Sequence, residues 1–246
     1  MKAIILGAGY ATRLYPLTKH FPKALLPIEE KKPIINYILE QFESIEAISD
    51  VYIVTNSKFY NFFAEWEKNF GQNFKNSITI INNGTKEEED RLGAIGDINF
   101  VINDKNIKQD TVIIAGDNFF DFYLKDVYNF FENNKKDTVC TMKILEKEKL
   151  KSMGVAKIDK HGKIISLIEK PENPQTNDAV FAIYFYKKDT IALFSKYLEE
   201  GNPRDAPGHF LGWLHKRKDV LAYSIKGNCY DIGTIESYEQ VRKIYG

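Results

Sequence analysis

Four charged residues stand where phosphate chemistry could be done. Arg13 closes the glycine run Gly7-Ala8-Gly9-Tyr10-Ala11-Thr12-Arg13, and Lys23 lies between prolines in Pro22-Lys23-Ala24-Leu25-Leu26-Pro27. Asp117 follows the apolar run Thr111–Ala115 in Gly116-Asp117-Asn118, and Asp231 lies in Tyr230-Asp231-Ile232-Gly233-Thr234. Glycines after an apolar strand permit a tight turn whose amides can face phosphate oxygens. Arginine offers a planar bidentate fork and lysine a compact charge. Together they suit a triphosphate and the negative charge that grows around phosphorus during transfer. Aspartates at strand ends suit magnesium, which combines one or two carboxylates with substrate phosphates and water.

Each signal also has a plain structural reading. The glycines alone could form a turn, Arg13 and Lys23 could be solvated, and Asp117 could cap a helix. The loop is not a dinucleotide fingerprint, because Thr12 stands where the third glycine is required. It is not a Walker A loop, since no Gly-Lys-Ser/Thr follows. Glu169-Lys170-Pro171 ends an apolar run; such a pair is either solvated or holds acceptor hydroxyls through Glu169 and the attacking phosphate through Lys170. His20, His161, His209 and His215 lack the spacing of a zinc site, and Cys140 and Cys229 form no CxxC pair.

The elements that must position these residues are legible in apolar spacing. Lys2–Leu6, Val51–Val54, Ile78–Ile81 and Thr111–Ala115 read as buried strands. Between them, Ile34, Ile38, Phe42 and Ile45, with Pro33 able to open the helix, mark one helix. Phe59, Phe63, Trp66 and Phe70 mark a second, with Thr55-Asn56-Ser57 suited to its cap. Arg91–Ile102 reads as a third, despite its glycines. This alternation implies a parallel sheet with helices on both faces.

After about residue 135 the rhythm changes. Strands are expected over Thr138–Leu145, Val155–Ile158, Ile164–Glu169, Ala179–Tyr186, Val220–Ile225 and Tyr230–Ile232, with a turn at His161-Gly162. Helices are expected over Asp189–Leu198, His209–Lys216 and Thr234–Tyr245. No repeat, linker or low-complexity tract interrupts the chain. The expectation is one α/β domain over residues 1–246, with nucleotide binding mainly in 1–135 and acceptor binding mainly in 136–246.

With 246 residues, 43% apolar and 28% charged, the chain can bury a full core. Its 34 basic and 34 acidic side chains cancel, which argues against a nucleic-acid binder relying on a broad basic face. The sequence opens on a strand, without a signal peptide or an apolar membrane span, so a cytoplasmic address without membrane attachment is expected. A homo-oligomer is compatible with the sequence.

In combination these segments resemble the sugar-nucleotidyltransferase family, nearest to its single-domain glucose-1-phosphate thymidylyltransferases. The resemblance is carried by Gly7–Leu14, Tyr15-Pro16-Leu17-Thr18, Pro22–Pro27, Gly116–Phe120, Gly154-Val155-Ala156, Glu169-Lys170-Pro171 and Tyr230–Tyr238. It implies a Rossmann-like nucleotidyltransferase fold with a mixed, mostly parallel central sheet. It also implies joining of a sugar 1-phosphate to an NTP with release of pyrophosphate, glucose 1-phosphate with dTTP or UTP being the expected pair. Leu6, Gly7, Ala8, Gly9, Thr12, Arg13, Lys23 and Gly93 are the implied nucleotide-binding residues. Gly154, Glu169 and Lys170 are the implied acceptor-binding residues. Asp117 and Asp231 would hold Mg²⁺, and Arg13, Lys23 and Asp117 would carry catalysis.

Departures from the family pattern keep other readings open. Ala11 replaces a common glycine, Met153 a common aromatic residue, and Phe181-Ala182 a common glycine. Glu87-Glu88-Glu89-Asp90 occupies the region where a base-reading glutamine is expected. A cytidylyltransferase acting on phosphocholine or a related phosphometabolite is the nearest alternative enzyme. A nucleotide or sugar sensor is the alternative outside catalysis.

Overall fold

The uninterrupted apolar side chains of Ala3, Ile4 and Ile5 have no exposed surface, as expected for a strand covered on both faces. The computed structural model describes residues 1–30 and 32–246. Its strands are β1 (Lys2–Leu6), β2 (Pro27–Glu29), β3 (Lys32–Pro33), β4 (Asp50–Thr55), β5 (Ser77–Asn82), β6 (Thr111–Ala115) and β7 (Asn118–Phe120). They continue as β8 (Asp137–Lys143), β9 (Gly154–Ile158), β10 (Ile164–Glu169), β11 (Asp178–Tyr186), β12 (Val220–Ser224) and β13 (Cys229–Asp231). The helices are α1 (Ile34–Glu43), α2 (Tyr60–Phe70), α3 (Ala94–Asp104), α4 (Leu124–Asn134) and α5 (Lys147–Leu150). They are followed by α6 (Lys188–Ile191), α7 (Leu193–Glu199), α8 (Pro207–Leu214) and α9 (Ile235–Tyr245).

The chain divides into two compact units. One contains Met1–Leu92, Ile114–Lys125 and Gly227–Gly246; the other contains Gly93–Ile113 and Asp126–Lys226.

In the first unit β1, β4 and β5 run parallel, with Leu6 opposite Val54 and Val54 opposite Ile81. The predicted α1 stripe is buried through Ile34, Ile38 and Phe42. In α2, Phe63 and Trp66 are buried, whereas Phe70 is 41% exposed at the last helical position. The cap of α2 is looser than expected. Asn56 accepts from the Phe59 amide at 3.0 Å, and α-helix begins only at Tyr60. β13 pairs antiparallel with β7, setting Asp231 opposite Asn118. Thr234 caps α9, with Thr234 and Ser237 bonding each other's backbone amides. α9 then buries Tyr238 and Val241 against Leu14, Leu26, Phe119 and Ile232.

In the second unit β8 pairs antiparallel with β11 and parallel with β12, while β9 pairs antiparallel with β10 and β11. Tyr186, Phe194, Tyr197, Phe210 and Trp213 make an aromatic core. Phe194 and Phe210 stack at 3.9 Å between centroids, and Tyr186 meets Phe210 edge-on at 5.6 Å. Beside it, buried Asp137 accepts from the Lys187 amide at 2.7 Å and the Thr190 hydroxyl at 2.6 Å. Lys218 lies 3.3 Å from the same carboxylate.

Three helices differ from their expected form. The segment Arg91–Ile102 is helical only from Ala94, because Gly93 has φ 77°, outside helical space. Asp189–Leu198 is two short helices meeting at Ala192, the first starting one residue earlier at Lys188. His209–Lys216 starts earlier, at Pro207, whose fixed φ suits the first helical position. β7 and α4 were not announced by the apolar pattern. α4 buries only Leu124, Val127 and Phe131 among polar residues.

Candidate active site

The glycine loop is held from below by the strand ends of the first unit. The Gly7 amide donates to Val54 at 2.8 Å, and the Leu6 carbonyl accepts from Gly116 at 2.8 Å. Fully buried Asn56 donates to the Ala8 carbonyl at 2.8 Å. A Cβ on Gly7 would lie 3.1 Å from the Phe63 ring and 3.2 Å from the Val54 carbonyl, so both would have to give by a few tenths of an ångström to admit a side chain. Gly9 is exposed and opens onto free space. Ala11, at the position of a family glycine, is left-handed with φ 52° and ψ 41°. Its carbonyl accepts from the Thr18 hydroxyl at 2.8 Å and from the Leu14 amide at 2.9 Å. The short 3₁₀ turn Thr12–Leu14 buries Leu14 while Thr12 and Arg13 remain exposed.

Lys23 lies in a second 3₁₀ turn, Lys23–Leu25, and forms an ion pair with Asp117. Gly116 makes the approach possible: a Cβ there would lie 2.8 Å from the Leu6 carbonyl and 3.3 Å from Ala24. The Asp117 carbonyl accepts from Ile232 at 3.0 Å, so the two aspartates lie on neighbouring segments although far apart in sequence. A Cβ on Gly233 would meet Arg13 Nη2 at 3.4 Å and Asp231 Oδ1 at 3.6 Å. Arg13, Lys23, Asp117 and Asp231 thus belong to one unit, on adjoining segments. Among the described residues, no group of three or more His, Cys, Asp or Glu could hold a metal. Two carboxylates fit magnesium only as a partial ligand set, the kind of site that substrate phosphates complete.

The second unit holds the remaining residues. Gly154 and Glu169 are directly paired across β9 and β10. A Cβ on Gly154 would lie 3.1 Å from Glu169 Oε2. Burial pushes the Glu169 carboxyl above its usual range, opposed by the charges of Lys170 and His209. Lys170 is exposed and left-handed with φ 50°, and its amide donates to Met153 at 3.0 Å. Backbone strain of this kind collects at functional positions. A cleft of about 400 Å³ is lined by Glu169, Gly208, His209, Gly212, Trp213 and Lys216, among others.

Gly93 stands where only glycine fits: its φ is 77°, and a Cβ would lie 2.6 Å from the Arg204 carbonyl. The following amides, Ala94 and Ile95, donate to Asp205 at 3.1 Å and Arg204 at 2.8 Å. The acidic stretch 87–90 belongs to the first unit, where the Glu87 and Asp90 side chains cap their own short turn. Asn56, Gly208 and His209 were not singled out as site residues from sequence. Gly208 and Gly212 did carry a signal, since two glycines four residues apart share one helix face.

The profile of the nucleotidyl transferase family matches residues 2–246, and the chain belongs to this family. It is 27% identical over 250 residues to the glucose-1-phosphate thymidylyltransferase of Neisseria meningitidis, covering 98% of this chain and 81% of that one. It is 29% identical over 245 residues to a Sulfolobus acidocaldarius protein named as a mannose-1-phosphate guanyltransferase. That match covers 98% of this chain but 62% of the relative, less than two thirds of its length. A solved Bacillus anthracis structure, described as a glucose-1-phosphate thymidylyltransferase with sucrose, superposes with a TM-score of 0.84. Identity is 27%, and the match covers 99% of this chain and 94% of that one. The fold is accordingly the Rossmann-like α/β fold of nucleotidyltransferases, with a mostly parallel central sheet flanked by helices. No described helix is long and apolar enough to cross a membrane.

Proposed function

We propose that the protein joins a sugar 1-phosphate to a nucleoside monophosphate taken from an NTP, releasing pyrophosphate. The observation that carries this reading is the convergence of the glycine loop, Arg13, the Lys23–Asp117 pair and Asp231 within one compact unit. The names of the relatives support a sugar 1-phosphate as acceptor, and glucose 1-phosphate with dTTP or UTP is the specific pair proposed.

The reaction needs no side-chain nucleophile. An anionic phosphate oxygen of the acceptor attacks the α-phosphorus, forming one P–O bond. The bond to the β-phosphate oxygen breaks, and pyrophosphate leaves with the electron pair. Alignment and charge neutralisation are then the main catalytic contributions. Arg13 and Lys23 restrain the β- and γ-phosphates beside the loop of Leu6, Gly7, Ala8, Gly9 and Thr12, while backbone groups at Gly93 contact the base. Gly154, Glu169 and Lys170 take the acceptor, Glu169 accepting from hydroxyls and Lys170 binding phosphate. Asp117 and Asp231 would hold Mg²⁺, which when bound supplies charge neutralisation at the phosphates. A cytoplasmic location belongs to the same proposal.

The test is a matrix of dTTP, UTP, CTP, ATP and GTP against glucose 1-phosphate, other sugar 1-phosphates and phosphocholine, with magnesium. Pyrophosphate release and product mass are measured for each pair. A nucleotide sugar from glucose 1-phosphate and dTTP or UTP supports the full proposal. CDP-choline without any nucleotide sugar overturns the acceptor, and selectivity for a purine NTP overturns the base.

A further inference from the structure

Two periodicities meet beside Glu169. On β10, Leu167 and Glu169 share one face of the strand, being two residues apart. On α8, Gly208 and Gly212 share one face, being four residues apart. The glycine edge of the helix lies against that strand: a Cβ on Gly212 would come within 3.4 Å of the Leu167 carbonyl. At Gly208 the approach is closer. A Cβ there would overlap Glu169 Oε2 and lie 2.9 Å from its Cδ. From the other side, a Cβ on Gly154 would stand 3.1 Å from the same Oε2. The carboxylate is therefore seated between two positions without side chains, one on β9 and one on α8.

We infer that Gly208 is a positioning residue for acceptor binding, its missing side chain forming half of the socket that aims the Glu169 carboxylate. The inference rests on the proposed acceptor role of Glu169. The helix tolerates a methyl group at Gly208, because alanine is the better helix former and the obstructing atoms belong to the far end of a flexible side chain. Substitution consequently moves the carboxylate and leaves the fold alone. His209, next on the helix and lining the same cleft, has its charge close enough to act on Glu169.

The experiment compares wild type, Gly208→Ala, Glu169→Asp and the double variant. Glucose 1-phosphate binding is followed by calorimetry, the KM of each substrate by pyrophosphate release, and stability by thermal denaturation. The expected result for Gly208→Ala is an acceptor Kd and KM raised about tenfold or more, the worth of one charged hydrogen bond, with the NTP KM and Tm held. In the double variant the shorter aspartate clears the added methyl, so its loss should be smaller than the product of the two single losses. Unchanged acceptor binding in Gly208→Ala overturns the inference. So does a fall in Tm with equal loss of both substrates, which marks a structural role. Wild type that neither binds nor uses any sugar 1-phosphate overturns the functional reading itself, and is distinguished by appearing before any substitution is made.

Discussion

At the scale of single residues, the first unit joins opposite charges that the sequence separates widely. Asp117→Asn and Asp231→Asn keep side-chain shape and remove the charge proposed to hold magnesium. Each should lower turnover by about a hundredfold or more, measured as pyrophosphate release at saturating substrates. The Lys23–Asp117 pair is partly solvated, with side chains 17% and 23% exposed, so Asp117→Asn should cost less than about 1 kcal/mol of stability. Near-wild-type turnover in both variants would remove the two aspartates from the metal assignment.

Glu169 makes the opposite trade. Burial raises its carboxyl above the usual range, outweighing the opposing charges of Lys170 and His209. The folded state then binds its proton more tightly than the unfolded state does. Stability falls as pH rises from the unfolded carboxyl value through the raised folded value. Glu169→Gln should therefore unfold at higher denaturant concentration than wild type at neutral pH. The difference should fade as pH falls below the ordinary glutamate range, while acceptor binding is weakened throughout. Parallel denaturation curves across that pH range measure it.

Ala11 is a further residue-scale case. A left-handed alanine costs about 1 kcal/mol or more in the folded state, whereas its stiffer unfolded chain returns about 0.4–1 kcal/mol relative to glycine. Ala11→Gly should leave stability unchanged or raise it by up to about 1 kcal/mol in urea denaturation. A loss beyond that would mean that the alanine methyl packs usefully against the loop.

At the scale of elements, short turns and caps hold the site. α9 begins immediately after Asp231-Ile232-Gly233, and the reciprocal bonds of Thr234 and Ser237 fix where it starts. Thr234→Ala should cost about 1 kcal/mol through the lost cap, read from the denaturation midpoint. Turnover should also fall, because the same segment carries Asp231 beside Gly233 and Arg13. α8 is organised differently. Its glycine edge faces β10, while its other side supplies Phe210 and Trp213 to the aromatic core.

At the scale of the whole molecule, that aromatic core makes α8 integral to the second unit. Phe210 is 1% exposed and packs against Tyr186, Phe194, Tyr197 and Trp213. Phe210→Ala should cost about 3–5 kcal/mol, combining lost transfer free energy with an incompletely collapsed cavity. Equilibrium denaturation measures it, and a cost below about 1 kcal/mol would show that neighbouring rings close the space.

What the sequence determined by itself was mostly local. Apolar runs announced β1, β4 and β6, the spacing of Ile34, Ile38 and Phe42 announced α1, and the segment Thr234–Tyr245 announced α9. The order of the glycine, lysine and aspartate segments was enough to suggest the family. Tertiary structure decided which carboxylate meets which cation, because the Lys23–Asp117 contact depends on Gly116 letting the chain pass against Leu6 and Ala24. It set the start of α3, since the crowding around Gly93 comes from Arg204 and Asp205, over a hundred residues later in the sequence. It also decided that Glu169 is half-buried beside its cleft rather than fully solvated, because the glycines around it lie on β9 and α8. Apolar periodicity records which side of an element is buried. The absence of a side chain becomes a socket only when the chain brings something to occupy it.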